Sequence, residues 1–223
     1  MTRLVFLDME MTGLVPETDR ILEVAAAVVE ATSQGLTDAL IRLRDEAREQ
    51  VETPCSFFGS GNPAEVPVAY SVIAQPAGVL ENMNPWSTEH HTKGGLVDAA
   101  RKYGWDRGDV EEQLLGWFGD CGFKPGEAVL AGNTIHFDRA FIRRWMPDLD
   151  AFLHYRLFDV STIRQFILAV GALPTNRPSS EAFWPVHEYA YKKQHGPDDD
   201  AHRALPDVIA SIEELQMYMK VLT

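Results

Sequence analysis

An apolar run, Leu4 to Leu7, leads directly into Asp8 and Glu10, and Gly13 follows as a turn residue. Side chains two apart on a β-strand share a face, so a strand over residues 3–10 sets the two carboxylates side by side at its end. Left unpaired, carboxylates that close repel each other and raise each other's pKa. A hard divalent cation removes the repulsion, because such ions take oxygen ligands. The plainer reading, two acids facing water at a strand end, accounts for these residues equally well when they are taken alone.

The residues that follow argue for an α/β domain with a mixed sheet. Residues 15–19 form a turn, the apolar run 20–30 a second strand, and residues 36–43 a third. Residues 44–85 carry no clear pattern beyond a strand within 66–73 and a break at Asn82-Met83-Asn84-Pro85. A helix capped by Ser87 or Thr88 runs to Gly104, and a second helix spans 109–120. Ala128 to Ala131 is a buried strand, followed by a helix from Asp138 to Met146 that Pro147 ends. Residues 156–160 form a strand, and Ser161 caps a helix to about Val170. A further helix falls near 181–194, and the last covers 205–221. In open sheets of this kind ligands gather beyond the strand ends, where Asp8 and Glu10 stand.

The chain has 223 residues, 45% of them hydrophobic, and a formal net charge of −13. Length and apolar content suit one domain with a sizeable core. Two cysteines, Cys55 and Cys121, make neither a disulfide framework nor a zinc quartet. No apolar run approaches a membrane span. The acidic balance argues against a groove that tracks long nucleic acid, which needs many phosphate contacts from basic residues. A short oligonucleotide, or one held only by its end, fits better. Adjacent His90 and His91 lack the i, i+4 spacing of a zinc helix.

Two further acids stand at helix starts. Asp138 opens its helix, where it could also serve as an ordinary cap or dipole partner. Downstream, His202 precedes Asp207 by five residues. Five residues of helix turn about 500°, so the pair shares no helical face. The imidazole belongs in the loop before the last helix and Asp207 in its first turn, where Pro206 lacks an N–H that no bond needs.

Asp-x-Glu at an early strand end, Asp at a mid-chain helix start and His-x₄-Asp before a late helix together resemble the DEDDh 3′→5′ exonucleases. The resemblance is closer to the oligoribonuclease family. It rests on Asp8-Met-Glu-Met-Thr-Gly-Leu14, Trp86 with His91 and Gly95-Leu96, Ala131-Gly-Asn-Thr134 with Asp138-Arg139, and Met146-Pro147. It continues through His154-Tyr-Arg156 with Asp159-Val-Ser-Thr162, and His202 with Ala204, Asp207, Ser211-Ile212 and Glu214-Leu215. It implies an α/β, RNase H-like mixed β-sheet flanked by helices, as one exonuclease domain over 1–223 with an insertion around 45–80. It also implies a metal-dependent 3′→5′ exoribonuclease that cuts very short RNA, dinucleotides especially, to 5′-mononucleotides by two-metal-ion catalysis.

On the same resemblance Asp8, Glu10, Asp138 and Asp207 hold two divalent cations, Mg²⁺ or Mn²⁺, and His202 is the general base. Leu14 wedges between the bases, Trp86 and His91 surround the 3′ nucleotide, and Thr134, Arg156 and Ser161 close over the 5′ phosphate. Tyr155 reaches the partner's site in a homodimer. No membrane role is implied. The expected compartment is the cytoplasm, or the mitochondrion if a presequence lies outside this sequence. Two departures stand out: Pro206 occupies a position where relatives carry Asp, and Thr134 replaces a usual Ser. The alternatives are a DEDDh exonuclease for tRNA or RNA 3′ ends or DNA proofreading, and a catalytically silent nucleic-acid-binding protein on the same fold.

Overall fold

The structure, a computed structural model, describes residues 2–52, 56–62, 65–171 and 203–222. Six strands form one sheet: β1 (Arg3–Met11), β2 (Ile21–Glu30), β3 (Phe57–Phe58), β4 (Val68–Val72), β5 (Leu130–Gly132) and β6 (Leu157–Asp159). Their order is β3-β4-β2-β1-β5-β6. β1 pairs antiparallel with β2 and parallel with β5, so the central strand is the seam between the antiparallel and parallel halves. The first strand is buried on both faces, which its nearly continuous apolar sequence requires.

Leu4 and Phe6 face one way with Ala25, Ala27 and Val29. Over them lie α1 (Ser33–Glu52), α8 (Val160–Ala169) and α9 (Ala204–Leu222). Val5, Leu7 and Met9 face the other way with Val24, Ala26 and Val28. That side is covered by α5 (Arg107–Asp120), α6 (His136–Trp145) and α7 (Pro147–Phe152). Short helices α2 (Ala77–Leu80) and α4 (Leu96–Lys102) pack a third cluster, with Met83, against Leu22 and Val72, and α3 (Pro85–Lys93) lies between them in the chain. Ala25, Ala26 and Ala27 are fully buried. Their small side chains let helices sit close to the sheet's centre.

The first strand, second strand, 66–73 strand and last helix fall where the sequence puts them. The expected third strand over 36–43 is instead part of α1. Leu36, Ala39, Leu40, Leu43 and Ala47 are buried while Ile41 is 59% exposed, which is the 3.6-residue period of one helical face. Thr32 Oγ1 accepts from the Gly35 amide at 3.0 Å at the helix start.

The helix expected from Ser87 to Gly104 is two helices. Asn84 caps the first, its side chain accepting from Ser87 N at 2.8 Å, and Pro85 takes the first helical position. Gly95, at φ 70°, breaks the run before α4. α6 begins at His136, so Asp138 lies within its first turn rather than capping it. Pro147 opens α7 as well as closing α6. Asp159, not Ser161, caps α8, accepting from Ser161 N at 2.8 Å. The helix expected near 181–194 and His202 lie outside the described residues. No helix among the described residues is long and apolar enough to cross a membrane.

Candidate active site

The strand period brings Asp8 and Glu10 onto one face, and the antiparallel register sets Glu10 directly across from Glu23. The register shifts between Glu10 and Met11, with Met11 opposite Ile21 at the end of β1. α9 then delivers Asp207 from its first turn. Carboxylate oxygens of Asp8, Glu10 and Asp207 all lie within 4.8 Å of one another. Asp138, only 5% exposed, stands on α6 outside that group of three, yet its charge bears on both Asp8 and Glu10.

All four carboxyls have raised pKa values, and burial is the largest cause for each. For Asp8, repulsion from Asp207, Asp138, Glu10 and Glu23 adds to it. Burial pushes Asp138 up to about 8, against backbone hydrogen bonds that oppose the rise. It pushes Asp207 to about 7, with Glu23 adding and a hydrogen bond with Glu10 opposing. Arg203 eases Glu10, but its guanidinium is already engaged by Glu23. The donor set is therefore hard oxygen, clustered and short of positive charge, which fits divalent cations such as Mg²⁺ or Mn²⁺.

A cleft of about 320 Å³ opens beside the acids, lined by Met9, Glu10, Met11, Gly13, Leu14, Asn84, Trp86 and Ser87. Leu14 and Trp86 are 67% and 52% exposed, unusual for such large apolar groups. Trp86 stacks on His90 at 4.0 Å between ring centres. His91 is buried, its Nε2–H donates to the Met11 carbonyl at 2.9 Å, and its Nε2 stands 3.8 Å from Glu10. Burial lowers the His91 pKa, which favours the neutral ring.

The loop carrying Leu14 is tied from both sides. Asp19 accepts from the Val15 amide at 2.8 Å, and a Cβ on Gly13 would lie 2.4 Å from the Asp19 carboxylate, so only glycine fits there. Trp145 Nε1–H donates to the Pro16 carbonyl at 2.9 Å, with the Arg20 guanidinium over its ring.

A second group gathers beyond β5. Thr134, the one non-glycine with positive φ among the described residues (49°), costs on the order of 1–3 kcal/mol in that conformation. Its amide donates to Ser161 Oγ at 3.1 Å, and Ser161 Oγ donates to Asn133 Oδ1 at 3.0 Å. Asn133 Nδ2–H donates to Glu214 at 2.9 Å, and Arg164 grips the same carboxylate with two 2.6 Å bonds. This network holds the strained turn. Tyr155 is 77% exposed, stacked on His154, with the Arg156 guanidinium 5.2 Å above its ring. Arg139 reaches from α6 to the His154 carbonyl at 3.1 Å.

The structure thus brings Asp8, Glu10 and Asp207 together, sets Leu14 and Trp86 on one cleft with the buried His91 bonded to Met11 of its wall, and joins Thr134 to Ser161. His202 lies outside the described residues. The sequence pattern assigns no site role to Glu23, Arg203, Asp19, Trp145 or Asn133. Only Glu23 carried a visible signal, a lone charge inside the apolar run Ile21–Val29.

No family model matches the sequence. The oligoribonuclease of Thiobacillus denitrificans is 33% identical over 217 residues, 97% of this chain and 93% of its own length. That of Chromobacterium violaceum is 32% identical over 222 residues, 96% of this chain and 92% of its own. Among solved structures, exonuclease I of Methylocaldum szegediense matches with a TM-score of 0.59 at 15% identity. Exonuclease I of E. coli in complex with a dT13 oligonucleotide matches at 0.55 and 14%. The chain spans only 40% and 41% of those two chains, while they cover 96% and 97% of it, so they speak to its RNase H-like exonuclease fold alone. The sequence relatives extend over nearly the whole of both partners, and on that footing the chain belongs to the oligoribonuclease family.

Proposed function

We propose that the chain is a 3′→5′ exoribonuclease that hydrolyses very short RNA, dinucleotides above all, to 5′-mononucleotides. The observation that carries this reading is that Glu10 belongs both to the acid group with Asp8 and Asp207 and to the wall of the Leu14–Trp86 cleft. A scissile phosphate beside Glu10 would have its 3′ nucleotide in the cleft, with bases against Leu14 and Trp86 and His91 beneath. Base–aromatic stacking contributes about 1–3 kcal/mol per base. At the other end Thr134, Ser161 and Arg156 would receive the 5′ phosphate.

Asp8, Glu10, Asp138 and Asp207 would hold the two cations. When bound, such a pair activates water and offsets charge on the attacking and leaving oxygens. His202 would take the water's proton, a task that suits an imidazole at neutral pH. With a net charge of −13, affinity would come from end contacts that a dinucleotide satisfies and a long strand does not use. The exposed Tyr155 supports a homodimer in which it reaches the partner's site. The bacterial sources of the relatives support a cytoplasmic site of action and lend none to a mitochondrial one.

The test is hydrolysis of 5′-phosphorylated RNAs of graded length, with Mg²⁺ or Mn²⁺ and Asp138→Ala as control. The dinucleotide should exceed long RNA in kcat/KM by at least about tenfold, a difference of 1.4 kcal/mol. Equal rates would favour an end-trimming or proofreading exonuclease, and no hydrolysis a silent binding protein.

Cation binding should also register in stability. Asp138 and Asp207 hold protons in the folded state at about 8 and 7, against an ordinary 3.8. Their folded pKa values are raised, so their stability contribution is complete below about pH 4 and is lost as pH rises toward 8. Chelator-treated protein should therefore melt lower at pH 8 than at pH 5.5. At one fixed concentration, set at a hundred times its Kd at pH 8, Mn²⁺ should restore about 2.7 kcal/mol there, or about 5–10 °C for a chain of this size, and less at pH 5.5. An equal Mn²⁺ effect at both pH values would count against these carboxylates as the ligands.

A further inference from the structure

We propose that Glu23 and Arg203 are positioning residues whose ion pair fixes Asp207 at the acid group. The inference rests on the reading of that group as the cation site. Glu23, third in β2, has no exposure and faces Glu10 across the ladder. A buried carboxylate beside three others is costly unless it is paired and hydrogen-bonded. Arg203 answers it bidentately, Nε–H to Oε2 at 2.9 Å and Nη2–H to Oε1 at 2.6 Å. The Ala204 amide adds a third donor to Oε2 at 3.0 Å. That amide is one of the N–H groups a helix start leaves without an internal partner.

All three bonds meet at the start of α9, on its first residue, Ala204, and on Arg203 just before it. Asp207 follows one turn later, and its carboxylate is the group that must meet Asp8 and Glu10. The apolar stripe of α9, with Leu205, Val208, Ile209 and Ile212, seats the helix on the sheet. Apolar burial is non-directional, however, and does not by itself set how far the helix slides or turns. The directional bonds from Glu23 do. A displacement of about 1 Å at a reacting centre can cost a hundredfold in rate. Arg203 also directly follows His202 in the chain, so the pair anchors the residue next to the assigned base.

Charge and position make opposite forecasts, which gives the test. Glu23→Gln removes a negative charge near the acids, and Arg203→Gln removes a positive one. If the pair acted only through its field, the first variant would weaken Mn²⁺ binding and the second would strengthen it. If it acts by position, both weaken it. Mn²⁺ titration calorimetry of the substrate-free full chain should show about tenfold weaker binding in both. Dinucleotide turnover should fall by about ten- to a hundredfold in kcat with KM within about twofold. The double variant should be no worse than the worse single one, because both remove the same coupling. Arg203→Lys keeps the charge but not the bidentate grip, and should lie between wild type and Arg203→Gln.

Opposite shifts in Mn²⁺ affinity would overturn the proposal. So would a well-folded Arg203→Lys with wild-type binding and turnover, which tests the idea even if a glutamine variant fails to fold. Should wild type bind Mn²⁺ but leave short RNA intact, the functional reading falls. The calorimetric comparison would still decide the clamp.

Discussion

Replacing Asp8 with asparagine should lower kcat about a thousandfold and, in the same protein, raise the melting temperature measured in chelator. The two effects have one source. Asp8's pKa is pushed well above the ordinary value, by burial first and then by Asp207, Asp138, Glu10 and Glu23. Asparagine keeps the shape and removes the charge, so the metal-free fold loses a repulsion. The same change removes a cation ligand, and stabilisation of several kcal/mol at the transition state corresponds to about three powers of ten in rate. The gain in stability should shrink at acidic pH, where Asp8 carries a proton in any case. Added Mn²⁺ should raise the melting temperature of wild type more than that of the variant. Melts with and without Mn²⁺, beside single-turnover rates on a dinucleotide, check both halves. A destabilised metal-free variant, or a rate close to wild type, would contradict the assignment.

His202→Ala should reduce kcat by about 10²–10⁴ with substrate affinity preserved, the range expected when a general base is removed. The wild-type rate should rise with pH through a limb on which the imidazole becomes free to accept a proton. The variant should lose that limb while keeping any dependence that belongs to the carboxylates. Dinucleotide binding to a Ca²⁺-loaded variant, compared with turnover in Mg²⁺, separates the two quantities. Parallel losses in binding and turnover would assign His202 to holding the substrate instead.

What could be read from the chain was what depends on near neighbours. A spacing of two on a strand is enough to place Asp8 beside Glu10, and Pro206 in a first turn is enough to place Asp207 at a helix start. Residues 36–43 misled because Thr and Ile favour strands, whereas the buried set Leu36, Leu40, Leu43 and Ala47 extends past that window. The cap of α8 was off by two residues, because Asp and Ser both suit that position. Only the fold shows Ser161 committed to Asn133 and Thr134. Glu23 with Arg203, and Asn133 with Glu214, join residues 180 and 81 positions apart. Such pairs exist only once the sheet order is set, and no local spacing announces them.

Helix α6, ten residues long, carries Asp138 in its first turn. One residue on, Arg139 holds the turn that presents Tyr155, and two turns on, Trp145 holds the loop that presents Leu14. Asp138 and the attachments of the Leu14 and Tyr155 loops thus share one stiff rod. On the proposed roles, the span between where a base is stopped and where a bond is cut is a length built into that rod, as graduations are cut into a gauge. Relatives that came to accept a longer oligomer would have to alter the attachments at its ends, because bending any one loop alone leaves the other two marks where they were.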